Sequence, residues 1–287
     1  MPNIILFIAD SWDGRMLSGR DPSLPVATPN ADRLAARGTR YDQACCNNPI
    51  CCPSRAILWS GQHTHRTGAW NNFTGLPIDD PNFKGSPPQL KNTVPDYPTL
   101  MTDLRRAGWD TNLCGTLDFT RGGHTVGARL SAWLRNSGLP LPILKGPRTS
   151  VAEERGERAN PQDWEVTDAA CDWLRERDGS RPFFLSVGVR CPHPFRTTSP
   201  YWLDQVDDSR ITLPALEEDP HPATLDMRRA RNLQTVPNDT PRRFLRRRYP
   251  AMIAEADAML GQVLDTVEAA GLADDTWFIF AGDHGEM

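Results

Sequence analysis

This chain of 287 residues contains short apolar runs that predict strands. Three such runs, rich in Ile, Phe and Val, lie at 3–9, 183–189 and 276–281. Each is almost continuously apolar, without the strict alternation of a half-exposed strand, which predicts strands buried on both faces of a sheet. The chain therefore has at least three strands that need covering on both sides.

Amphipathic stretches lie between these runs and predict the helices. Apolar residues recur at helical spacing in four segments, at 30–37, 99–107, 163–177 and 249–270. Strands that alternate with helices predict an α/β fold in which helices cover both faces of a mostly parallel sheet. We find no internal repeat and no linker, so we expect one domain over residues 1–287.

Composition narrows the class of protein. With 39% hydrophobic and 24% charged residues, the chain is typical of a globular domain. Its formal net charge of −4 provides no overall basic field, and we expect no nucleic-acid partner. No apolar stretch is long enough to span a bilayer, and Met1 leads directly into the first strand without a basic leader. We therefore expect no membrane association and a cytoplasmic location.

Side chains that can bind metal ions or transfer protons follow the predicted strands. Asp10 ends the first strand, Asp283 and His284 follow the last, and His193 follows the strand at 183–189. The carboxyl ends of parallel strands meet at one edge of a sheet, so we expect these side chains to lie close together. Two carboxylates with a further donor suit a hard divalent cation, Ca²⁺ or Mg²⁺. The alternative is that each Asp only caps a turn.

A Cys-Cys-Pro-Ser-Arg run begins at Cys51. Pro53 suits the first turn of a helix, which places Cys51 just before a helix N-terminus, where anions are stabilised. Arg55 lies one turn further on. Cys51 is then either a nucleophile or a buried inert thiol, which is the usual state of a free cysteine. The pairs Cys45-Cys46 and Cys51-Cys52 lack the spacing of a zinc knuckle.

This run, Cys-x-Pro-Ser-Arg at 51–55, resembles the signature of the type I, formylglycine-dependent sulfatases, and in particular of their arylsulfatase K-like branch. The runs Asp-Ser-Trp-Asp-Gly-Arg at 10–15, Pro-His-Pro at 192–194 and Asp-His-Gly-Glu at 283–286 follow in the order of that branch. The resemblance implies an alkaline-phosphatase-like α/β/α sandwich with a mixed, mostly parallel sheet. It also implies that the chain corresponds to the N-terminal catalytic domain and ends after Asp-His-Gly-Glu, without the C-terminal subdomain.

The resemblance further implies a sulfuric ester hydrolase. Cys51, converted to formylglycine by a formylglycine-generating enzyme, is then the nucleophile, and Arg55 assists it. Ca²⁺ (or Mg²⁺) is bound by Asp10, Asp283, His284 and the residue at position 51. His193 contacts the sulfate or protonates the leaving alcohol. The substrate implied is an aryl sulfate or a sulfated carbohydrate such as the 2-sulfated uronate of glycosaminoglycans.

One departure from the family pattern concerns the sulfate site. Thr116 stands where the family commonly has a lysine that bridges sulfate and formylglycine, so Thr116 keeps a hydrogen bond but not the charge. His124 and Arg121 are candidates to replace that cation, and His65 is expected to be structural. Two alternatives stay open: a formylglycine-dependent phosphodiesterase or phosphonate monoester hydrolase, and an inactive protein that only binds sulfated sugars.

Three further segments allow only general predictions about structure or binding. Pro-, Asp- and Asn-rich stretches at 75–98 and 197–238 are predicted to be long loops. The run Arg-Arg-Phe-Leu-Arg-Arg-Arg at 242–248 is either a solvated helix face or a surface that receives an anionic polysaccharide.

Overall fold

The protein is described here by a computed structural model. The structure describes residues 1–67, 99–116, 149–151, 155–194, 196–215, 217–222, 224–225 and 239–286. The strands, in chain order, are β1 (Asn3–Ala9), β2 (Asp110–Gly115), β3 (Thr149–Val151), β4 (Phe183–Val189), β5 (Arg196–Thr198) and β6 (Thr276–Gly282). The α-helices are α1 (Pro29–Ala36), α2 (Cys51–Ser60), α3 (Thr64–Thr67), α4 (Leu100–Arg106), α5 (Pro161–Glu176), α6 (Pro200–Leu203) and α7 (Asp239–Ala269). Short 3₁₀ turns lie at Asp208–Arg210 and Ala273–Asp275.

Four strands form the central sheet in the order β2-β4-β1-β6, and all their pairings are parallel. The short strands β3 and β5 pair separately, also in parallel. The three predicted strands are confirmed, the third with one residue more. Strand β2 was not predicted, because its first residues, Asp-Thr-Asn, are polar. It forms because it pairs with the buried strand β4.

The sheet carries an apolar layer on each face, because alternate residues of a strand point to opposite sides. Ile5 and Phe7 of β1 lie in the larger cluster, with apolar residues of α5 and α7. Leu6 and Ile8 lie in a smaller cluster with Trp59 of α2. The predicted α/β sandwich, with helices on both faces, is therefore confirmed. Strand β6 is the outer strand of this described sheet and leaves Trp277 67% exposed.

One predicted helix start and one predicted loop differ substantially from the structure. α7 begins ten residues before the predicted position 249 and continues through Pro250. The predicted loop at 197–238 includes most of β5, together with α6 and a 3₁₀ turn, whereas the one at 75–98 lies outside the described residues. None of the helices in the described part of the chain has the length and apolar character needed to cross a membrane.

The carboxyl ends of β2 and β4 approach each other very closely, and only glycine fits there. A Cβ atom on Gly115 would lie 2.1 Å from the carbonyl oxygen of Gly188, and Gly115 has a φ of +84°. A Cβ atom on Gly188 would in turn lie 2.3 Å from the carbonyl oxygen of Thr116. This contact fixes the backbone of Thr116 at the edge where the candidate site lies.

Candidate active site

The end of β1 and the end of β6 are tied together at the site. The backbone N–H of Asp10 donates to the carbonyl of Val189 in β4 (3.1 Å), and that of Ser11 donates to Oδ1 of Asp283 (2.9 Å). Ser11 has a φ of 69°, in the left-handed region, so the chain turns sharply directly after Asp10. The Tyr249 hydroxyl of α7 supports this turn by donating to the Ser11 carbonyl (2.7 Å). Asp10 and Asp283 are thereby held side by side, and both are buried.

Cys51 lies against this carboxylate pair. Its Sγ atom is 3.6 Å from Oδ1 of Asp10 and 3.2 Å from Nε2 of His284. The sequence places Cys51 just before the helix; in the structure it is the first residue of α2, and Ile50 is the N-cap. The difference arises because the N–H of Ser54 already bonds to the Ile50 carbonyl. Cys51 still lies at the positive end of the helix dipole, where a developing anion is stabilised.

Arg55, one turn further along α2, is completely buried. Its guanidinium donates to Oδ2 of Asp283 (2.8 Å) and to the carbonyl oxygen of Thr116 (2.8 Å), and it lies 3.5 Å from Oδ2 of Asp10. One arginine therefore contacts both carboxylates and the end of β2. This arrangement makes Arg55 the group that organises the site.

The charges of the described site do not balance. Two buried carboxylates, on Asp10 and Asp283, face the single guanidinium of Arg55. Burial raises the pKa of Asp283, and the neighbouring Asp10 carboxylate raises it further, whereas Arg55 lowers it. A divalent cation would supply the missing positive charge, because opposite charges favour the ionised form of both carboxylates.

Four side chains offer ligand atoms for such a cation. Suitable atoms of Asp10, Cys51, Asp283 and His284 all lie within 4.8 Å of one another, and this is the one such group among the residues that the structure describes. Nδ1 of His284 lies 2.8 Å from the carbonyl oxygen of Gly285. A carbonyl only accepts, so Nδ1 carries a proton, and in the neutral ring Nε2 then presents its lone pair to the group.

The donor set fits a hard cation in part. Two carboxylates suit Ca²⁺ or Mg²⁺, whereas the thiol of Cys51 is a soft ligand that Zn²⁺ prefers. Replacement of the sulfur by oxygen, as in formylglycine, would make the group richer in oxygen. The residues present therefore fit a hard cation better after that conversion than before it.

His193 lies at the same edge of the sheet, four residues beyond the end of β4. Its N–H donates to the carbonyl of Arg190 (2.7 Å), which closes a tight turn, and the peptide bond between Cys191 and Pro192 is cis. Thr116 is buried, with its carbonyl on Arg55, and the contact of its side chain with sulfate stays a prediction. His124 and Arg121 lie outside the described residues.

Sequence reasoning missed several residues that support the site. The Tyr249 hydroxyl also accepts from the N–H of Asp13 (2.9 Å), and the Ser54 hydroxyl donates to the Asp283 carbonyl. Ser54 belongs to the Cys-x-Pro-Ser-Arg run, which was a usable signal. Nothing in the sequence near Tyr249 indicates a partner more than 230 residues away.

The arginine run at 242–248 has a structural use. Arg242, Arg243 and Arg246 donate to the carbonyls of residues 214, 211 and 212, each at 2.8 Å. Arg247 donates to the carbonyl of Leu203, and the guanidinium of Arg248 lies over the ring of Phe244. These contacts bind the segment 203–214 to α7, so the run is not a purely solvated face, and its binding of an anionic polysaccharide stays a prediction.

Comparisons with known proteins agree with this geometry. Arylsulfatase K of Rattus norvegicus is 35% identical over 100% of this chain and 50% of its own length. Arylsulfatase K of Homo sapiens is 34% identical over 100% of this chain and 53% of its own length. The chain thus spans about half the length of the curated relatives it matches.

Solved structures share the fold. A phosphonate monoester hydrolase of Agrobacterium radiobacter superposes with a TM-score of 0.71 at 24% identity, over 100% of this chain and 63% of its own. A structure in complex with its substrate D-glucosamine-2-N,6-O-disulfate superposes with a TM-score of 0.65 at 18% identity, over 99% of this chain and 65% of its own. The sulfatase family model matches residues 2–287. The chain therefore belongs to the sulfatase family.

Proposed function

We propose that this chain carries the catalytic domain of a sulfuric ester hydrolase in which the residue at position 51 supplies the nucleophile. The observation that supports this most directly is the position of Cys51. It lies at the start of α2 and in contact with Asp10 and His284. With Cys51 converted to formylglycine, the hydrated aldehyde would supply two hydroxyls: one to attack sulfur as the alcohol leaves, and one to release sulfate as the aldehyde re-forms.

Asp10, Asp283, His284 and the residue at position 51 are proposed to hold Ca²⁺ or Mg²⁺. The cation, when bound, lowers the pKa of a hydroxyl beside it and offsets negative charge on the sulfate oxygens. Arg55 keeps Asp10 and Asp283 in place through its contacts with both carboxylates. The N-terminus of α2 adds a favourable field at position 51.

His193 is proposed to donate a proton to the leaving alcohol, or to position the sulfate. A general acid of this kind contributes about 10² to 10⁴ in rate, and its worth rises as the leaving group becomes more basic. Thr116 and His124 are proposed to contact the sulfate. Thr116 lies at the site through its backbone, because its carbonyl accepts from Arg55.

The substrate that we propose is a sulfated sugar, with a 2-sulfated uronate as the specific candidate. The relatives that support it are named arylsulfatase K, and the family resemblance implies this chemistry. An aryl sulfate then serves as a convenient assay substrate. The partner needed for maturation is a formylglycine-generating enzyme.

The test compares two neighbouring cysteines. Cys51→Ala removes the proposed nucleophile, and Cys52→Ala is the matched control, because Cys52 is also buried at the start of α2. We expect sulfate release from an aryl sulfate to vanish in Cys51→Ala and to persist in Cys52→Ala. Mass spectrometry of the peptide that contains position 51 reports the aldehyde in the active protein. Sulfate release by Cys51→Ala at the normal rate would refute the proposal.

The same preparations distinguish two alternatives. Phosphonate monoesters and sulfate monoesters are both tetrahedral anions, so rates on an aryl phosphonate and an aryl sulfate are compared directly. Faster turnover of the phosphonate would make the protein a phosphonate monoester hydrolase. Binding of a sulfated disaccharide without turnover, in protein with a confirmed aldehyde, would make it a sugar-binding protein.

A further inference from the structure

A buried carboxylate lies beneath the turn that carries His193. Asp163, in the first turn of α5, is only 5% exposed. Its Oδ1 atom accepts from the N–H of Arg190 (2.9 Å), and its Oδ2 atom accepts from the N–H of Cys191 (2.8 Å). Both oxygens are thus used on consecutive backbone amides of one loop, and the carboxylate takes no part in the cluster around Cys51.

These two amides are the first after β4, and His193 follows two residues after the second of them. The loop turns back on itself because the N–H of His193 donates to the carbonyl of Arg190 (2.7 Å). Because one carboxylate accepts both hydrogen bonds, it sets the position and the orientation of the two peptide groups on either side of Arg190. The start of the His193 turn is therefore fixed by Asp163 in addition to the hydrogen bond within the loop.

Asp163 is itself held firmly, through α7. Glu255 of α7 accepts from the N–H of Asn160 (2.8 Å), from Nδ2 of Asn160 (2.7 Å) and from Nε1 of Trp164 (2.9 Å). Asn160 is the N-cap of α5, so Glu255 fixes the end of the helix on which Asp163 lies. The support runs from α7 through α5 to the loop.

A carboxylate in this position is chemically specific. Two N–H donors need two acceptor atoms, and only an acidic side chain offers one acceptor on each branch. Moving a charge from water into the protein interior costs free energy. If packing were the only requirement, an apolar residue would fill this space without that cost. Burial raises the pKa of Asp163, and the nearby Arg190 side chain lowers it.

We propose that Asp163 is a positioning residue for His193: its carboxylate holds the turn so that the imidazole stays within reach of the leaving-group oxygen. The inference rests on the proposed role of His193 as a general acid. A displacement of about 1 Å at a catalytic group costs on the order of 10²-fold in rate, which is the scale expected here.

The experiment measures kcat and KM of the complete, aldehyde-bearing protein on aryl sulfates whose phenols differ in pKa. Asp163→Asn keeps the size of the side chain but replaces one acceptor with a donor. Asp168→Asn is the matched control, since Asp168 lies on the same helix and forms an ion pair with Arg158 (2.6 Å). His193→Ala and the double variant Asp163→Asn/His193→Ala complete a cycle.

We expect Asp163→Asn to lower kcat by about 10- to 100-fold for the most basic leaving groups and by less for the most acidic, with KM nearly unchanged. His193→Ala should show the same dependence on the leaving group. In the His193→Ala background, Asp163→Asn should add less than about twofold, because the two residues act through one group. Asp168→Asn should stay within about twofold of the wild type.

Other outcomes overturn the inference in distinguishable ways. An equal loss for every leaving group, or a full additional loss in the His193→Ala background, would show that Asp163 serves stability alone. A His193→Ala protein without any leaving-group dependence would remove the proposed role of His193 itself. Should Asp163→Asn fail to fold, Asp163→Ser keeps one acceptor in a smaller side chain, and the NMR signals of the His193 ring report its displacement without any turnover.

Discussion

The buried carboxyl group of Glu255 makes a specific prediction about stability and pH. Glu255 is completely buried on α7, and this burial raises its pKa from 4.5 to about 7, against the opposing effect of three hydrogen bonds from Asn160 and Trp164. The negative charge of Asp163 raises the pKa further. Cys191 is a titratable neighbour as well, and its own pKa is raised by burial and by Glu255.

The size of this effect on the free energy of unfolding follows from the difference between the pKa of Glu255 in the folded and the unfolded protein. Between pH 4.5 and about 7 the folded protein binds the Glu255 proton more tightly than the unfolded chain does. Stability from this group is therefore fully present below pH 4.5 and is lost as the pH rises through 7. At about 1.36 kcal/mol per pKa unit, the total loss is roughly 3 kcal/mol.

Glu255→Gln isolates this contribution, because glutamine is neutral at every pH. We expect the free energy of unfolding of the wild type, relative to the variant, to fall by roughly 3 kcal/mol between pH 4.5 and pH 8. Urea unfolding followed by tryptophan fluorescence measures both proteins at each pH. Asp257, whose pKa is raised to about 6 by burial, contributes equally to both proteins and cancels.

The control is Glu268→Gln, at an exposed position of the same helix where the side chain forms an ion pair with Arg37. A surface ion pair is worth about 0–1 kcal/mol, so this variant should differ little from the wild type. A stability difference between wild type and Glu255→Gln that stays constant within about 1 kcal/mol over the whole range would refute the reasoning. It would mean that Glu255 ionises in the folded protein as readily as in the unfolded chain.

Three further predictions concern the site. Arg55→Met leaves two buried carboxylates without their guanidinium, and we expect a loss of about 3–5 kcal/mol in the free energy of unfolding; an unchanged urea midpoint would contradict this. Gly115→Ala places a Cβ atom 2.1 Å from the Gly188 carbonyl oxygen, so the melting temperature measured by calorimetry should fall by several degrees. A melting temperature equal to that of the wild type would show that β2 and β4 do not approach each other so closely. Protein with an unconverted Cys51 thiol should bind Co²⁺ with a sulfur-to-metal charge-transfer band and favour Zn²⁺ over Ca²⁺; converted protein should lack the band, and the same spectrum in both would contradict a metal bound at position 51.

The local sequence pattern was sufficient to predict strands β1 and β4 and to predict that the candidate ligands lie close together. The runs at 3–9 and 183–189 are apolar throughout because both of their faces are buried, and their boundaries agree with β1 and β4. Parallel strands bring their carboxyl ends to one edge, so the placement of Asp10 near Asp283 follows from sequence position alone. The Cys-x-Pro-Ser-Arg run likewise located the helix that carries Cys51 and Arg55.

Tertiary structure alone decided which partners these residues have. β2 begins with polar residues, so only its pairing with β4 identifies it as a strand. The arginines at 242–247 were ambiguous, because nothing in their own segment indicates the carbonyls of residues 203–214 that they bind. Asp163 and Glu255 read as ordinary helix residues, although each accepts hydrogen bonds from a distant part of the chain. Periodicity encodes which side of an element is buried, but a buried polar group is defined by the partner that the folded chain brings to it.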